Sequence, residues 1–347
     1  MGYEKMRILI VGAGSIGRRH INNLNNLGYE DIDVVDISDT NLDYVKKNFK
    51  IKETFTDFNG ALNSKDYDAA FILTPPIYHI PMALELAKKG LDLFIEKPLS
   101  HNLENVDKLI KIKEDNDLVI MVGFNMRFNS SLIKIKKLLD EGKVGKMISA
   151  RVHFGSYLPY RHPDRDYRED YGAKKSLGGG VILDAIHQIE YIQWFLGDVD
   201  EVFCYSGKLS NLEIETEDDA EILLKFKSGV VASLHLDYIQ RPYQNKCELI
   251  GENGTIQWEI SLQYNVKNNN YSLYSDKVKL YDVKSGKWQI FGGDKSLNDA
   301  YIREEEYFIS CVKLRKRPII DEEHGKRILE VTLAAKKSSE IHNIVGV

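Results

Sequence analysis

The sequence predicts an α/β protein of two domains: a doubly wound parallel sheet in residues 1–123, and an α+β domain with an open, mainly antiparallel sheet in residues 124–347. Three observations support this prediction. A chain of 347 residues exceeds one ordinary core. Up to residue 123, continuous apolar runs of strand length alternate with helical patterns, which is typical of a parallel sheet covered on both faces. Beyond that point the runs alternate between apolar and polar residues, as in half-buried antiparallel strands.

The elements of the first domain follow in order along the chain. Strands are predicted at 8–11, 32–36, 69–73, 91–95 and 118–122, and helices at 39–49, 77–89 and 103–114. Ser100 or Asn102 is expected to cap the third of these helices, and Gly90 to end the second.

The second domain is predicted from alternating patterns at 147–154, 220–226 and 232–238, of which the last two form a hairpin. Further strands are expected near 244–250, 255–260 and 271–283, and helices at 181–196, 297–314 and 322–342. One face of this sheet is left for helices and the other for solvent or a partner subunit.

A glycine-rich turn follows the first strand directly, in the run Gly12-Ala13-Gly14-Ser15-Ile16-Gly17. The first glycine permits a tight turn, the second lets the backbone approach a pyrophosphate, and the third lets the helix pack close to the strand. The second strand ends in Asp36, 19 residues after Gly17, where a ribose-binding acid is expected. The glycine spacing and the position of Asp36 together predict a Rossmann dinucleotide site. The competing interpretation is a glycine-rich turn in another α/β protein.

Asp36 favours NAD as the cofactor, since its carboxylate would accept hydrogen bonds from the ribose hydroxyls and repel a 2′-phosphate. The next residues, 37–39, contain no arginine that could neutralise such a phosphate.

Composition excludes several classes of function. A net charge of −5 argues against nucleic acid as the main partner. The absence of an apolar run of about 18 residues predicts no membrane span. Three widely spaced cysteines fit neither a disulfide framework nor a zinc site, so a reducing cytoplasm is the expected compartment. No metal is expected, because His153, His162 and His235 lie in unrelated contexts.

Two segments carry residues suited to proton and hydride chemistry. Lys97, in Glu96-Lys97-Pro98 at the end of a predicted strand, could hydrogen-bond a substrate oxygen, although a lone lysine at a strand–loop junction is the simpler interpretation. Asp184 and His187 follow the glycines 178–180 at i and i+3 on one predicted helix, so the carboxylate could orient the imidazole as a base. A hydrogen-bonded core histidine is the alternative.

The ordered set of motifs resembles the Gfo/Idh/MocA oxidoreductases (glucose–fructose oxidoreductase, inositol dehydrogenase and rhizopine catabolism) over nearly the whole chain. The matching residues are Gly12 to Gly17, Thr74-Pro75-Pro76 with His79, Glu96-Lys97-Pro98, Gly123-Phe124-Asn125 with Arg127-Phe128, and the glycine-rich helix start with Asp184 and His187.

The resemblance implies a Rossmann domain followed by an α+β domain whose open sheet forms homodimers or homotetramers. It implies NAD(P)-dependent oxidation or reduction at a carbon of a sugar, cyclitol or related compound. Lys97, Asp184 and His187 fall on the family's catalytic residues, while Thr74, Pro75, His79 and Glu96 fall on the cofactor side. Asn125 and Arg127 could line the cofactor or substrate cleft, or could form hydrogen bonds at the domain boundary.

One departure concerns the spacing of Asp184 and His187, which are three residues apart where many relatives have four. Glu190, one turn further on, is therefore a rival acidic partner for His187.

A loop rich in tyrosine and arginine precedes the glycine run. This loop could bind a polyhydroxylated or anionic ligand through Tyr160, Arg161, Tyr167 and Arg168. Alternatively, it could be an arm between subunits. It resembles the version found in relatives from bacterial surface-sugar pathways, which implies a nucleotide-linked or acidic sugar.

The resulting hypothesis is an NAD-dependent dehydrogenase acting on a secondary hydroxyl of a sugar or sugar derivative. Two other hypotheses remain: a glycosidase that uses NAD transiently, and a non-catalytic sugar-sensing protein. Net NADH release separates the glycosidase from the dehydrogenase, and bound NAD that no sugar reduces would indicate the sensor.

Overall fold

The computed structural model describes residues 6–161, 165–265 and 270–347. The chain separates into two compact units, one of residues 1–124 with 301–327, the other of residues 125–300 with 328–347. The sequence-based boundary after residue 123 assigns 301–327 to the second domain, whereas the structure groups that segment with the first unit.

The first unit contains a parallel sheet of six strands in the order β3-β2-β1-β4-β5-β6. The strands are β1 (Ile8–Val11), β2 (Ile32–Val35), β3 (Glu53–Phe55), β4 (Ala69–Ile72), β5 (Asp92–Glu96) and β6 (Ile120–Gly123). All five predicted strands form, and the order is that of the doubly wound Rossmann fold. Strand β3 escaped prediction because it has only three residues, none of them buried.

Helices connect these strands. They are α1 (Ser15–Asn26), α2 (Asp39–Asn48), α3 (Phe58–Ser64), α4 (His79–Lys88) and α5 (Val106–Asp115). The expected cap of α5 at Ser100 or Asn102 is wrong. Their side chains instead accept hydrogen bonds from the backbone N–H groups of Asn102 and Glu104 in successive turns, so the helix begins only after Asn105.

The segment 301–327 joins the first unit through aromatic packing. Phe71 of β4 and Phe94 of β5 are stacked with ring centroids 4.9 Å apart. Phe308 packs edge-on against both rings, at 5.3 and 5.6 Å. All three side chains are fully buried, so this helical residue completes the apolar core over the parallel sheet. Phe308 belongs to α9 (Asn298–Leu314), which is followed by α10 (Glu322–Ile341).

The second unit contains a mixed sheet of nine strands in the order β14-β13-β12-β11-β7-β10-β9-β8-β15. The strands are β7 (Met147–Gly155), β8 (Val199–Gly207), β9 (Asp219–Phe226), β10 (Val231–Asp237), β11 (Gln244–Gly251), β12 (Gly254–Asn265), β13 (Asn270–Asp282), β14 (Lys287–Gly292) and β15 (Val345–Gly346). Within the described residues of this sheet, only β7 and β10 pair in parallel, and the predicted hairpin of β9 and β10 is confirmed.

Alternation gives the middle strands of this sheet one buried and one open face. In β9 the even-numbered residues from Ala220 to Phe226 are buried, whereas Glu221, Leu223 and Lys225 are exposed. The open face is defined here as the side that carries Glu221, Leu223 and, on β7 and β10, His153 and His235.

Among the described residues, the second unit wholly contains three α-helices: α6 (Ser130–Asp140), α7 (Val181–Asp184) and α8 (Ile186–Leu196). The single helix predicted at 181–196 is wrong, because Ala185 leaves helical geometry with φ −86° and ψ +28° and divides it in two. Among the described residues, no helix is both long enough and apolar enough to span a membrane.

Candidate active site

The glycine turn between β1 and α1 is shaped by two close backbone contacts. Gly12 has φ +102°, and a Cβ placed there would lie 2.7 Å from the Leu73 carbonyl oxygen. A Cβ on Gly17 would lie 2.1 Å from the Gly12 carbonyl oxygen. These two glycines therefore serve the turn itself and the close packing of α1 on β1.

Gly14 differs, because a Cβ built on it meets no atom within 4 Å. No packing within the protein requires a glycine here, so the space beside it is available to a ligand. Gly14 is the residue before α1, whose first turn contains no acidic side chain. The start of this helix therefore presents backbone N–H groups and a positive dipole end to an anion, which fits the pyrophosphate of a dinucleotide.

Asp36 lies at the end of β2, and its carboxylate is tied to the same turn. Its Oδ2 accepts from the Ala13 N–H at 2.7 Å and from Asn41 Nδ2 at 3.2 Å, while Oδ1 accepts from the Ser38 N–H at 2.8 Å. These bonds fix the acid beside the glycine turn, where it fits the ribose of NAD. Arg18 is nearby: it donates to Asn41 Oδ1 and stacks on the Tyr44 ring at 3.9 Å.

Lys97 follows β5 on a loop held by its neighbour in the chain. The Lys97 N–H donates to Glu96 Oε2 at 2.9 Å, and the Lys97–Pro98 peptide is cis. The ring nitrogens of the buried His79 lie 2.8 Å from the Pro98 carbonyl oxygen and 2.7 Å from that of Thr74. Burial lowers the pKa of His79. His79 thus links the loop after β4, which carries Pro75, to the loop of Lys97.

Behind Lys97, the buried His20 of α1 lies between two carboxylates. Its Nε2 is 3.2 Å from Glu96 Oε1, and its Nδ1 is 2.8 Å from Glu305 Oε1. Burial disfavours the imidazolium and by itself would lower the pKa of His20. Glu305 and Glu96 outweigh this effect through their negative charges and hydrogen bonds, and they raise the pKa of His20 to about 9. Sequence reasoning missed both His20 and Glu305, since neither stands in a motif that signals an ion pair.

In the second unit, glycines 178–180 precede α7. A Cβ on Gly179 would lie 2.2 Å from the Tyr171 carbonyl oxygen, and one on Gly180 would lie 2.2 Å from Glu217 Oε1. The close approach that these glycines permit is therefore to the protein's own chain. It brings the segment around Tyr171 against the start of α7.

Asp184, the last residue of α7, is fixed by three side chains. Its Oδ2 accepts from Arg161 Nη1 and, at 3.1 Å, from the Tyr238 hydroxyl, and its Oδ1 accepts from the Tyr171 hydroxyl. Burial and the nearby Asp184 charge raise the pKa of both tyrosines. Burial opposes the Arg161 charge, but Asp184 more than compensates and raises the pKa of the guanidinium. Tyr171 and Tyr238 were not identified from sequence, because their role depends on strand and loop packing.

The predicted shared helix for Asp184 and His187 is wrong, since Asp184 ends α7 and His187 lies in the first turn of α8. The break at Ala185 separates them. Even so, in the stretch from 181 to 192 these two residues alone are partly exposed while the others are buried. The structure thus presents one carboxylate and one imidazole at the surface of an otherwise buried segment.

Glu190, the rival acid, forms a buried ion pair. Arg127 Nε lies 2.8 Å from Glu190 Oε1, and the guanidinium stacks over the Trp194 ring at 4.4 Å. Both charged side chains are at most 9% exposed. This arrangement favours a structural role for Arg127 over the predicted role in substrate binding. Asn125 is also buried, in the short 3₁₀ helix that contains Arg127.

The tyrosine- and arginine-rich loop does not act as one group. Arg161 reaches Asp184, as above, and the Tyr160 ring packs edge-on against that of Tyr157 at 4.8 Å. Arg168 instead pairs on the surface with Asp166 and Glu213. The Tyr167 hydroxyl accepts from the Glu213 N–H, so Tyr167 and Arg168 are both tied to Glu213.

The expectation that His153 and His235 lie in unrelated contexts is wrong. They are direct partners in the register of β7 and β10, and their ring centroids are 4.7 Å apart. The register could not be derived from sequence because β7 and β10 are distant in the chain. His162, named in the same expectation, lies outside the described residues.

Comparison with known proteins identifies both halves of the chain. The profile described as "Oxidoreductase family, NAD-binding Rossmann fold" matches residues 6–124, and the profile "GFO/IDH/MocA C-terminal domain" matches residues 132–257. Myo-inositol 2-dehydrogenase of Thermotoga maritima is 28% identical, over 96% of this chain and 96% of that protein.

Solved structures share the fold along the whole chain. Myo-inositol 2-dehydrogenase from Lactobacillus plantarum superposes with a TM-score of 0.82 at 23% identity, covering 99% of this chain and 100% of that one. The WlbA dehydrogenase from Bordetella pertussis, solved with NADH and UDP-GlcNAcA, gives a TM-score of 0.81 at 21% identity, with 99% of each chain covered.

Proposed function

Because the chain belongs to the GFO/IDH/MocA family of NAD-binding oxidoreductases, we propose that it transfers hydride between NAD and a secondary hydroxyl, or the matching ketone, of a sugar or cyclitol ring. Asp184 carries this proposal. Its carboxylate is fixed by one arginine and two tyrosine hydroxyls, and it is three residues from the partly exposed His187, whose imidazole is suited to proton transfer at a substrate oxygen.

Each residue has a distinct proposed role. His187 would accept the hydroxyl proton during oxidation, and Lys97 would donate a hydrogen bond to the reacting oxygen and stabilise its developing negative charge. Asp184 would hold Arg161, Tyr171 and Tyr238 in position and keep a negative charge near the imidazole of His187. Bound NAD supplies the hydride acceptor. Glycines 12, 14 and 17 with Asp36 would hold its pyrophosphate and ribose.

The substrate class is proposed as a nucleotide-linked or acidic sugar, with free sugars and inositols as the competing class. Arginine and tyrosine side chains near Asp184 support a polyhydroxylated ligand. The relative from Thermotoga is named for an inositol, and the WlbA structure contains a nucleotide-linked sugar acid. Both classes therefore belong in the test.

The experiment is an NADH absorbance screen with nucleotide sugars, sugar acids, free sugars and inositols, followed by variants on the best substrate. Lys97→Ala and His187→Ala are each expected to lower kcat at least about 100-fold, the usual contribution of a positioned acid or base. Lys89→Ala and His342→Ala make the same changes at exposed positions and should leave kcat unchanged. Turnover that survives both active-site changes within a few-fold would contradict the roles. Turnover without net NADH would indicate the glycosidase, and bound NAD that no substrate reduces would indicate the sensor.

We further propose that two or four copies associate through the open face of the second sheet. Tyr205, Leu223 and Val231 are 58%, 47% and 43% exposed on this face, and exposed apolar side chains on neighbouring strands favour contact with another chain. Leu223→Lys is expected to reduce the assembly to monomers by light scattering, whereas Leu209→Lys, at an exposed position outside these strands, should not. A wild-type protein that is already monomeric would refute this proposal.

The proposed compartment is a reducing cytoplasm. The three cysteines are buried and unpaired, and burial raises the pKa of the Cys204 thiol to about 12, so this thiol is poorly reactive. Fractionation of the source cells would test the assignment.

A further inference from the structure

The open face of the second sheet carries a group of metal-binding side chains that the proposed dehydrogenase chemistry does not use. The parallel register of β7 and β10 places His235 directly opposite His153. Asp237 lies two residues further along β10 and therefore on the same face. One ligand atom from each of the three residues lies within 4.8 Å of the others. Two imidazoles and a carboxylate thus lie close together on adjacent strands, and the His153 Nε2 is in addition hydrogen-bonded to Gln240 Oε1.

The carboxylate of Asp237 is held in place by the turn that follows β10. Its Oδ1 accepts from the backbone N–H groups of Ile239 and Gln240, both at 2.6 Å. Its Oδ2 is thereby directed at His235 Nε2, which lies 3.0 Å away. This separation is close to that between two ligand atoms on one metal ion, because metal–ligand bonds of about 2.0–2.1 Å place neighbouring ligands about 3 Å apart.

The second ring nitrogen of His235 is also occupied. Its Nδ1 lies 2.7 Å from Glu221 Oε1, and Glu221 is the cross-strand partner of His235 on β9. If an ion took the place of the proton between His235 Nε2 and Asp237 Oδ2, Glu221 on Nδ1 would be the carboxylate that usually fixes the ring and tautomer of a histidine ligand. Glu221 therefore completes a carboxylate–histidine pair behind the three ligands.

We propose that His153, His235 and Asp237 bind a divalent transition-metal ion, with Glu221 orienting His235. Imidazole and carboxylate ligands suit zinc and its first-row neighbours. All the ligands come from the same sheet, so the ion would link β7 to its parallel neighbour β10.

The test uses full-length protein without a histidine tag, dialysed against a chelator and then titrated with Zn²⁺ by calorimetry and with Co²⁺ by visible absorption. One ion per chain is expected, together with a rise in Tm on adding Zn²⁺. His153→Ala and His235→Ala should each weaken Zn²⁺ binding at least 100-fold. Glu221→Gln should weaken it by about 10–100-fold, the usual effect of losing a carboxylate behind a ligand.

Arg151→Ala is the matched control, because Arg151 is two residues from His153 on the same face and pairs with Glu248 outside the cluster. Its Zn²⁺ affinity should equal that of the wild type. The proposal is overturned if the wild-type protein binds no Zn²⁺, or if both histidine variants retain its affinity and stoichiometry. The second result would place the bound metal elsewhere on the chain.

Discussion

Replacing His20 by glutamine tests the buried ion pairs behind Lys97. Glutamine keeps a hydrogen-bond donor but removes the positive charge between Glu96 and Glu305, whose oxygens lie 3.2 and 2.8 Å from the imidazole nitrogens. The pKa of His20 rises from 6.5 to about 9 on folding. At about 1.4 kcal/mol per pKa unit, this shift corresponds to roughly 3 kcal/mol of stability. We expect a loss of that order in the first unit near neutral pH.

The pH dependence distinguishes charge from packing. A pKa raised by folding contributes its full stability below pH 6.5, and this stability is lost as the pH rises through about 9. The difference between wild type and His20→Gln should therefore be largest at pH 6 and shrink towards zero by pH 10.

Hydrogen exchange of the β1 and β5 amides is the appropriate assay, because all three tryptophans lie at positions 194, 258 and 288, outside the first unit. His342→Gln makes the same change at an exposed position and should alter neither stability nor its pH profile. A His20→Gln difference that stays equal from pH 6 to pH 10 would show that the imidazolium is not its source.

Three further predictions concern the cofactor turn and the buried pair of the second unit. Gly14→Ala is expected to leave Tm unchanged, since its Cβ enters open space within the protein, and to weaken NAD binding at least tenfold by calorimetry. Gly12→Ala should instead lower Tm, because its Cβ would lie 2.7 Å from a carbonyl oxygen. Asp36→Ser should reduce the ratio of kcat/KM for NAD over NADP at least tenfold, and an unchanged ratio would contradict its ribose role. Arg127→Met should destabilise the second unit by about 3–5 kcal/mol in tryptophan-monitored unfolding, because the buried Glu190 carboxylate loses its cation. Adding Glu190→Gln should restore most of that loss, and no restoration would exclude the charge as the cause.

The sequence predicted the elements whose signal is local. Every strand of four or more residues in the first sheet was identified from a largely apolar run, and the glycine turn and Asp36 were located from their spacing and their position after predicted strands. The hairpin of β9 and β10 followed from alternation and a short turn. Elements without such a signal were missed, as with the three-residue β3 and the interruption of the helix at Ala185.

By itself, the sequence determined the fold class, the cofactor turn and the residues offered for chemistry, because strand burial, helix periodicity and phosphate-binding turns are written in neighbouring residues. Only the tertiary structure decided which side chains meet. It brings Arg161 and two tyrosine hydroxyls into hydrogen-bonding contact with the Asp184 carboxylate. It also places His153 opposite His235 on neighbouring strands. The physical reason is that register and loop packing join residues far apart in the chain, and no local pattern encodes a distance between them.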